Sequence, residues 1–157
     1  MDIDPEVVAA EHDRLLAEAP AIARTINDVR TRLGEAFDTE VGTVTAEQVR
    51  GALDDVFADG DLSVNVATLT AILRDLDVED DYPGFVVDEL LARELAGMLA
   101  GGQQPARLLG EATYHFADLH VHEGETAGAD DLLAALAGGL QTRLPGWSWT
   151  EGPSPYE

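Results

Sequence analysis

A chain of 157 residues with 45% apolar content is long enough for one domain with a substantial core, since a chain of this size buries roughly 70% of its unfolded surface. Thirty-one acidic residues stand against nine basic ones, giving a formal charge of −22, and the absence of any cationic cluster argues against nucleic-acid and anionic-lipid partners. There is no cysteine and no lysine, which excludes disulfides, thiolate ligands, a cysteine nucleophile and a Schiff base.

In chain order, "PEVVAAEHDRLLAEAPAIARTINDVRTRLG" (5–34) opens with Pro5, tolerated in a first helical turn, and closes at Gly34. Val8, His12, Leu15, Ala19, Ile22, Ile26, Val29 and Leu33 recur in steps of four and three, a heptad seam. Pro20 kinks this helix or divides it in two. The seam either packs on the chain's own domain or takes a partner helix, and His12 reads as a core residue. A polar linker follows at 38–45. Thr45 with Gln48 three residues on forms a capping box for a helix whose apolar face is Val49, Leu53, Val56 and Phe57. "ADGD" (58–61) resembles a calcium loop but fails on spacing: Val64 stands where the loop needs glycine and Thr70 where it needs a carboxylate. It reads as a turn.

A helix through Val66, Leu69, Ile72, Leu73 and Leu76 comes next, with 62–66 open to a brief strand instead. "YPGFVVDELLARELAGMLAGG" is amphipathic through Val86, Val87, Leu90, Leu91, Glu94, Leu95, Met98 and Leu99, and is expected to be the central, most buried helix, ended by Gly101 and Gly102. "GADDLLAALAGGLQTRL" (128–144) is a late helix with Asp130 and Asp131 in its first turn, where the macrodipole favours them. "PGWSWTEGPSPYE" holds three prolines and cannot be helical. The predicted organisation is one helical domain over 1–145, with 5–34 as N-terminal helices and 44–122 as its core, followed by an extended aromatic tail at 146–157. Trp147, Trp149 and Tyr156 are the candidate partner-binding residues, since aromatic anchors on an extended segment suit docking. Folding back on the domain is the plainer alternative.

Three of the four histidines, His115, His120 and His122, lie in "LLGEATYHFADLHVHEGE" (108–125). A zinc site wants three or four ligands on one face. On a strand His120 and His122 share a face that His115 does not; on a helix His115 and His122 align without His120. Scaffold histidines are therefore expected, with a small metal-dependent enzyme on these three as the alternative. There is no glycine-rich phosphate loop and no G-x-S-x-G elbow. No catalytic residue, cofactor or metal is assigned.

Residues 44–118 resemble the head–tail adaptor (connector) proteins of tailed viruses in the order of "TAEQVRGAL", "VATLTAILRDL", "VVDELLARELAGMLAGG" and "GEATYHF". The helices at 5–34 and 128–144 depart from that pattern. The resemblance implies a strand at 110–117, with Tyr114 and Phe116 on one face and Thr113, His115 and Ala117 on the other. It also implies a homo-oligomeric, dodecameric ring between portal and tail proteins, and a C-terminal arm laid along the portal. A helix over 106–121 through Leu108, Leu109, Ala112, Phe116 and Leu119 fits the same residues.

The expected fold is mainly α: a bundle of five or six helices with a small strand or hairpin near 110–122 and an extended C-terminal tail. The expected role is a non-catalytic assembly subunit of a salt-adapted system, best a viral adaptor; a helical module gripping a cellular protein through 5–34 is the alternative. No apolar run approaches 18 residues and "MDIDPEVVAA" lacks an apolar stretch, so neither a membrane span nor a signal peptide is predicted. The virion, or the cytoplasm of a high-salt organism, is the expected location. A charge of −22 repels itself in dilute buffer, whereas in 1 M salt the Debye length falls to about 3 Å. The thermal midpoint should therefore drop as molar salt is diluted. A midpoint indifferent to ionic strength would remove the salt-adapted reading.

Overall fold

The computed structural model describes residues 3–76, 80–101, 105–120 and 127–147, and every regular element among them is helical. Asp4 caps α1 (Pro5–Ala17) by accepting from the Val7 N–H at 2.9 Å. The chain then divides at Glu18, and Pro20 falls in the first turn of α2 (Ala19–Phe37), where its missing N–H costs nothing. The heptad seam is consumed internally: Leu15, Ala19, Ile22, Ile26 and Val29 are all within 1% of full burial. The seam thus packs mainly on the chain's own domain, with Val8, His12 and Leu33 half-buried.

Thr45 and Gln48 form the capping box of α3 (Ala46–Ala58). Asp59 ends it and caps α4 (Gly60–Asp75), accepting from the Leu62 N–H at 3.0 Å, and the two axes bend by 114° there. The turn at 58–61 is thus a helix junction, and the helix takes in residues 62–66. The segment from Asp81 to Leu99 is one rod: α5 (Asp81–Phe85), a π-helical stretch (Val86–Ala92) and α6 (Arg93–Leu99). It ends where Gly101 adopts φ 106°, a conformation open to glycine. The remaining helices are α7 (Ala106–His120) and α8 (Ala127–Leu140), with a 3₁₀ turn at Gln141–Arg143.

Two expectations are corrected. Residues 106–120 are helical, so the strand near 110–117 does not form, and 121–122 lie outside the described residues. The physical reason is the face that α7 buries: Gly110, Thr113, Tyr114 and Ala117, spaced three, one and three apart, recur at helical and not alternating period. The central helix is α8, not the 81–99 rod, on which Phe85 and Leu90 stay half exposed. Leu132, Ala134, Ala135, Leu136, Ala137 and Leu140 of α8 are all buried. A helix apolar around its whole circumference belongs inside.

Small residues make that centre. A Cβ on Gly138 would meet Tyr114 N at 2.6 Å, and one on Gly139 would meet Ala96 O at 2.6 Å. Gly110 faces Ala100 and Ala96 in the same way. Three backbones therefore approach closer than side chains ordinarily permit, and α8 is wedged between α6 and α7. No single helix among the described residues is long and apolar enough to cross a membrane.

The end of the described chain is held by one cation. Arg30 on α2 is 1% exposed. Its guanidinium donates to Gly42 O at 2.6 Å, Pro145 O at 2.7 Å and Gln141 O at 3.0 Å, and lies 5.2 Å over the Trp147 ring. The Gly42 N–H donates to Gly146 O at 3.0 Å, tying the same loop to the same segment. Residues 146 and 147, expected in the tail, thus pack on the domain; 148–157 lie outside the described residues. Arg30→Met leaves these buried carbonyls without a donor and should cost on the order of 3 kcal/mol. Thermal melts in molar salt, with tryptophan emission shifting to the red, would register it. An unchanged melt would show that the clamp contributes nothing.

Candidate functional site

α7 presents two chemically different sides. On the inner side, Tyr114 is fully buried and donates its hydroxyl hydrogen to Asp88 Oδ1 at 2.6 Å, with the Asp88 carbonyl at 3.0 Å. Asp88 comes from the π-helical stretch, a wider turn that often marks functional positions. Asp118, one turn beyond Tyr114, and Asp131 near the start of α8 complete the group; Asp88, Asp118 and Asp131 each place an oxygen within 4.8 Å of the others. Three elements thus bring three carboxylates together, with Asp131 only 7% exposed.

Carboxylates so close cannot all stay ionised at ordinary pH. Burial, then the hydrogen bond and charge of Asp118, pushes Asp131 from 3.8 to about 8. Burial also raises Asp118, and burial followed by the Asp88 hydrogen bond raises the Tyr114 phenol. The pair Asp118–Asp131 therefore holds a shared proton. A cation would answer the same crowding. Two sets have donor atoms spaced for one: Asp88, Asp118 and Asp131, or Asp88, Glu89 and His115.

The sequence-predicted residues distribute as follows. His115 sits on α7 with Nε2 3.7 Å from Glu89 Oε2, so its neighbour is a carboxylate of the rod. His120 is the last residue of α7, and His122 lies outside the described residues. Trp147 is 8% exposed and its indole N–H donates to Gln141 Oε1 at 2.7 Å, so it is an anchor within its own domain and not a free one. Trp149 and Tyr156 lie outside the described residues. His12 is half-buried, stacked on Phe57 at 4.5 Å with Nε2 2.8 Å from Asp54 Oδ1. Sequence reasoning missed the Asp88–Asp118–Asp131 group. A signal existed: Asp131, Ala135 and Gly138 share a face of α8, so Asp131 heads the buried stripe, and the macrodipole accounts only for its neighbour Asp130.

The outer side of α7 is the surprise. Leu108 is 61% and Leu119 72% exposed, with Ala112 exposed and His115 half exposed between them. Leu108, Ala112 and Leu119 belong to the face that sequence periodicity proposes as buried, of which Leu109 and Phe116 are half-buried. The rod and α7 run antiparallel, with Glu89 beside His115 and Glu94 bound to Arg107 at 2.6 Å. That register sets Phe85, half exposed, level with Leu119, and Tyr82, 76% exposed, one turn further on.

For a carboxyl that binds protons more tightly when folded, stability is fully present below the ordinary value and is lost as pH rises through the folded one. Asp131 should thus make the fold progressively less stable between pH 3.8 and about 8. Asp131→Asn should flatten that slope and stabilise the protein at pH 8 by on the order of 2 kcal/mol. Thermal midpoints against pH for both proteins would test it, and parallel curves would refute the shared proton.

No curated protein and no solved structure matches the chain. A family of unknown function does, over residues 1–157. The chain belongs to that family, described as a domain of unknown function (DUF7984).

Proposed function

We propose that the chain is a non-catalytic protein-binding subunit of a salt-adapted system. The observation that supports this reading is the outward apolar face of α7, Leu108, Ala112 and Leu119, beside the exposed Phe85 and Tyr82. A monomer gains nothing by keeping an apolar helical stripe in water, and stripes of this kind mark interaction sites. In molar salt, recognition by charge is screened beyond about 3 Å. Apolar contact persists there, and salting-out ions strengthen it. An acidic surface with an apolar stripe is suited to gripping a protein under such conditions.

The narrower form of the proposal is a head–tail adaptor, with portal and tail proteins as the partners and a homo-oligomeric ring as the assembly. The succession of helices at 46–58, 60–75 and 81–99 agrees with that resemblance. The helix at 106–120 removes its strand. The burial of Leu15, Ala19, Ile22, Ile26 and Val29 favours this face over 5–34 as the binding surface.

A pull-down in molar salt with the full chain and its Leu119→Glu variant, read by mass spectrometry, tests the reading. The parent should retain a protein that the variant loses, while both melt at the same temperature. Equal retention by the two would overturn the assignment of this face.

A further inference from the structure

We infer that the outer face of α7 is a two-fold interface between two copies of this chain. This deepens the protein-binding reading and rests on it, since both use the same exposed stripe. The stripe falls at residues 108, 112, 115 and 119, in steps of four, three and four. That spacing reads identically in either direction. An antiparallel two-fold axis midway between Ala112 and His115 therefore sets Leu108 opposite the second copy's Leu119, and Ala112 opposite its His115. Self-complementarity of one patch is what an isologous interface requires. The side chains also suit their positions: leucine meets leucine at both ends, and at the centre the smallest residue faces the imidazole.

The amount of surface agrees. Tyr82, Phe85, Leu108 and Leu119 are 76%, 50%, 61% and 72% exposed. With aromatic side chains offering about 150–250 Å² each, these four present on the order of 500 Å² of apolar surface. A standard interface takes about 800 Å² per partner, roughly 56–65% of it apolar. The stripe with its α5 extension supplies that apolar share.

The flanks set the conditions. On one edge stand Leu109 and Phe116, half-buried, which extend the apolar contact. On the other stands Glu111, since Asp118 is engaged inward with Asp88 and Asp131, and two chains of charge −22 repel across any face they share. Arg107, 3.3 Å from Glu111, offsets part of that charge. The remaining repulsion is long-ranged in dilute buffer and confined to about 3 Å in 1 M salt. Pairing thus strengthens with salt, the reverse of an interface built on ion pairs.

The absence of cysteine from the chain makes the register directly testable. Sedimentation equilibrium in molar salt should give twice the 16.7 kDa chain mass and should return toward one chain as salt is removed. Leu119→Glu, at a position too exposed to disturb the core, should weaken pairing by about tenfold or more with unchanged circular dichroism. Under mild oxidation, Ala112→Cys mixed with His115→Cys should form a disulfide-linked pair that neither protein forms alone. Cross-linking of Ala112→Cys with itself would mean parallel pairing and would overturn the proposal, as would a monomer at every salt concentration. A monomer that still loses a captured protein on Leu119→Glu would end the dimer while leaving the protein-binding reading intact; a larger ring would end the two-fold geometry only.

Discussion

Two adjacent glycines let α8 lie against the backbones of α6 and α7 with almost nothing between them, and this approach governs how the neighbouring helices are turned. Gly138 sits on the main chain of Tyr114, and Gly139 on that of Ala96. α7 turns Gly110, Thr113, Tyr114 and Ala117 inward, with the Tyr114 main chain against Gly138 and its ring reaching on to Asp88. Rotation about a helix axis is a single degree of freedom. Once that side faces in, Leu108, Ala112 and Leu119 face out, whatever their hydrophobicity. The same approach carries Asp131 to within reach of Asp118 and Asp88. The buried carboxylates and the exposed apolar stripe are thus two results of one packing decision.

Charge is distributed with equal economy. The chain has only nine Lys and Arg residues; two arginines are committed at or near the interior and a third, exposed one bonds a helix end. Arg30 satisfies carbonyls at the end of the α8 region, where the helix macrodipole is negative. Arg74 reaches across from α4 to Glu11 of α1, a carboxylate 2% exposed that also takes bonds from Arg14 and the Thr70 hydroxyl. Arg143 donates to the Leu99 carbonyl at the end of α6. Interior contacts are screened far less by salt than surface ones. The bonds of Arg30 and of Arg74 with Glu11 are therefore held where salt screens least, and salt acts chiefly on the repulsion among the outer carboxylates.

Much of the helical plan was legible. Caps at Asp4 and Thr45, the break at Pro20, the turn at Asp59 and the stop at Gly101 each follow from local chemistry that tertiary packing left alone. The seam at 8–33 was legible for the same reason: its residues are large and apolar, and the period is unambiguous. α8 was legible as a late helix but not as the central one, and α7 only as one of two readings, because periodicity assumes that large apolar residues point inward. Here the interior contact is made by glycine, alanine and threonine, whose value lies in what they omit. The candidate site failed on the same ground. Asp131 looked like a first-turn acid because it follows Gly128 by three residues, yet it shares the face of Ala135 and Gly138 that α8 buries. Trp147 was assigned to a tail by its neighbouring prolines, and only the distant Arg30 reveals that it closes the domain.

The placement of α8 bears on the order in which the molecule can be completed. Synthesis at roughly 5–20 residues per second leaves about four to fourteen seconds between the end of α4 and the arrival of residue 147. During that interval the surfaces of α2, α3 and α4 that meet α8 have no central helix to cover them. α8 thus reaches the fold only after the helices that it covers.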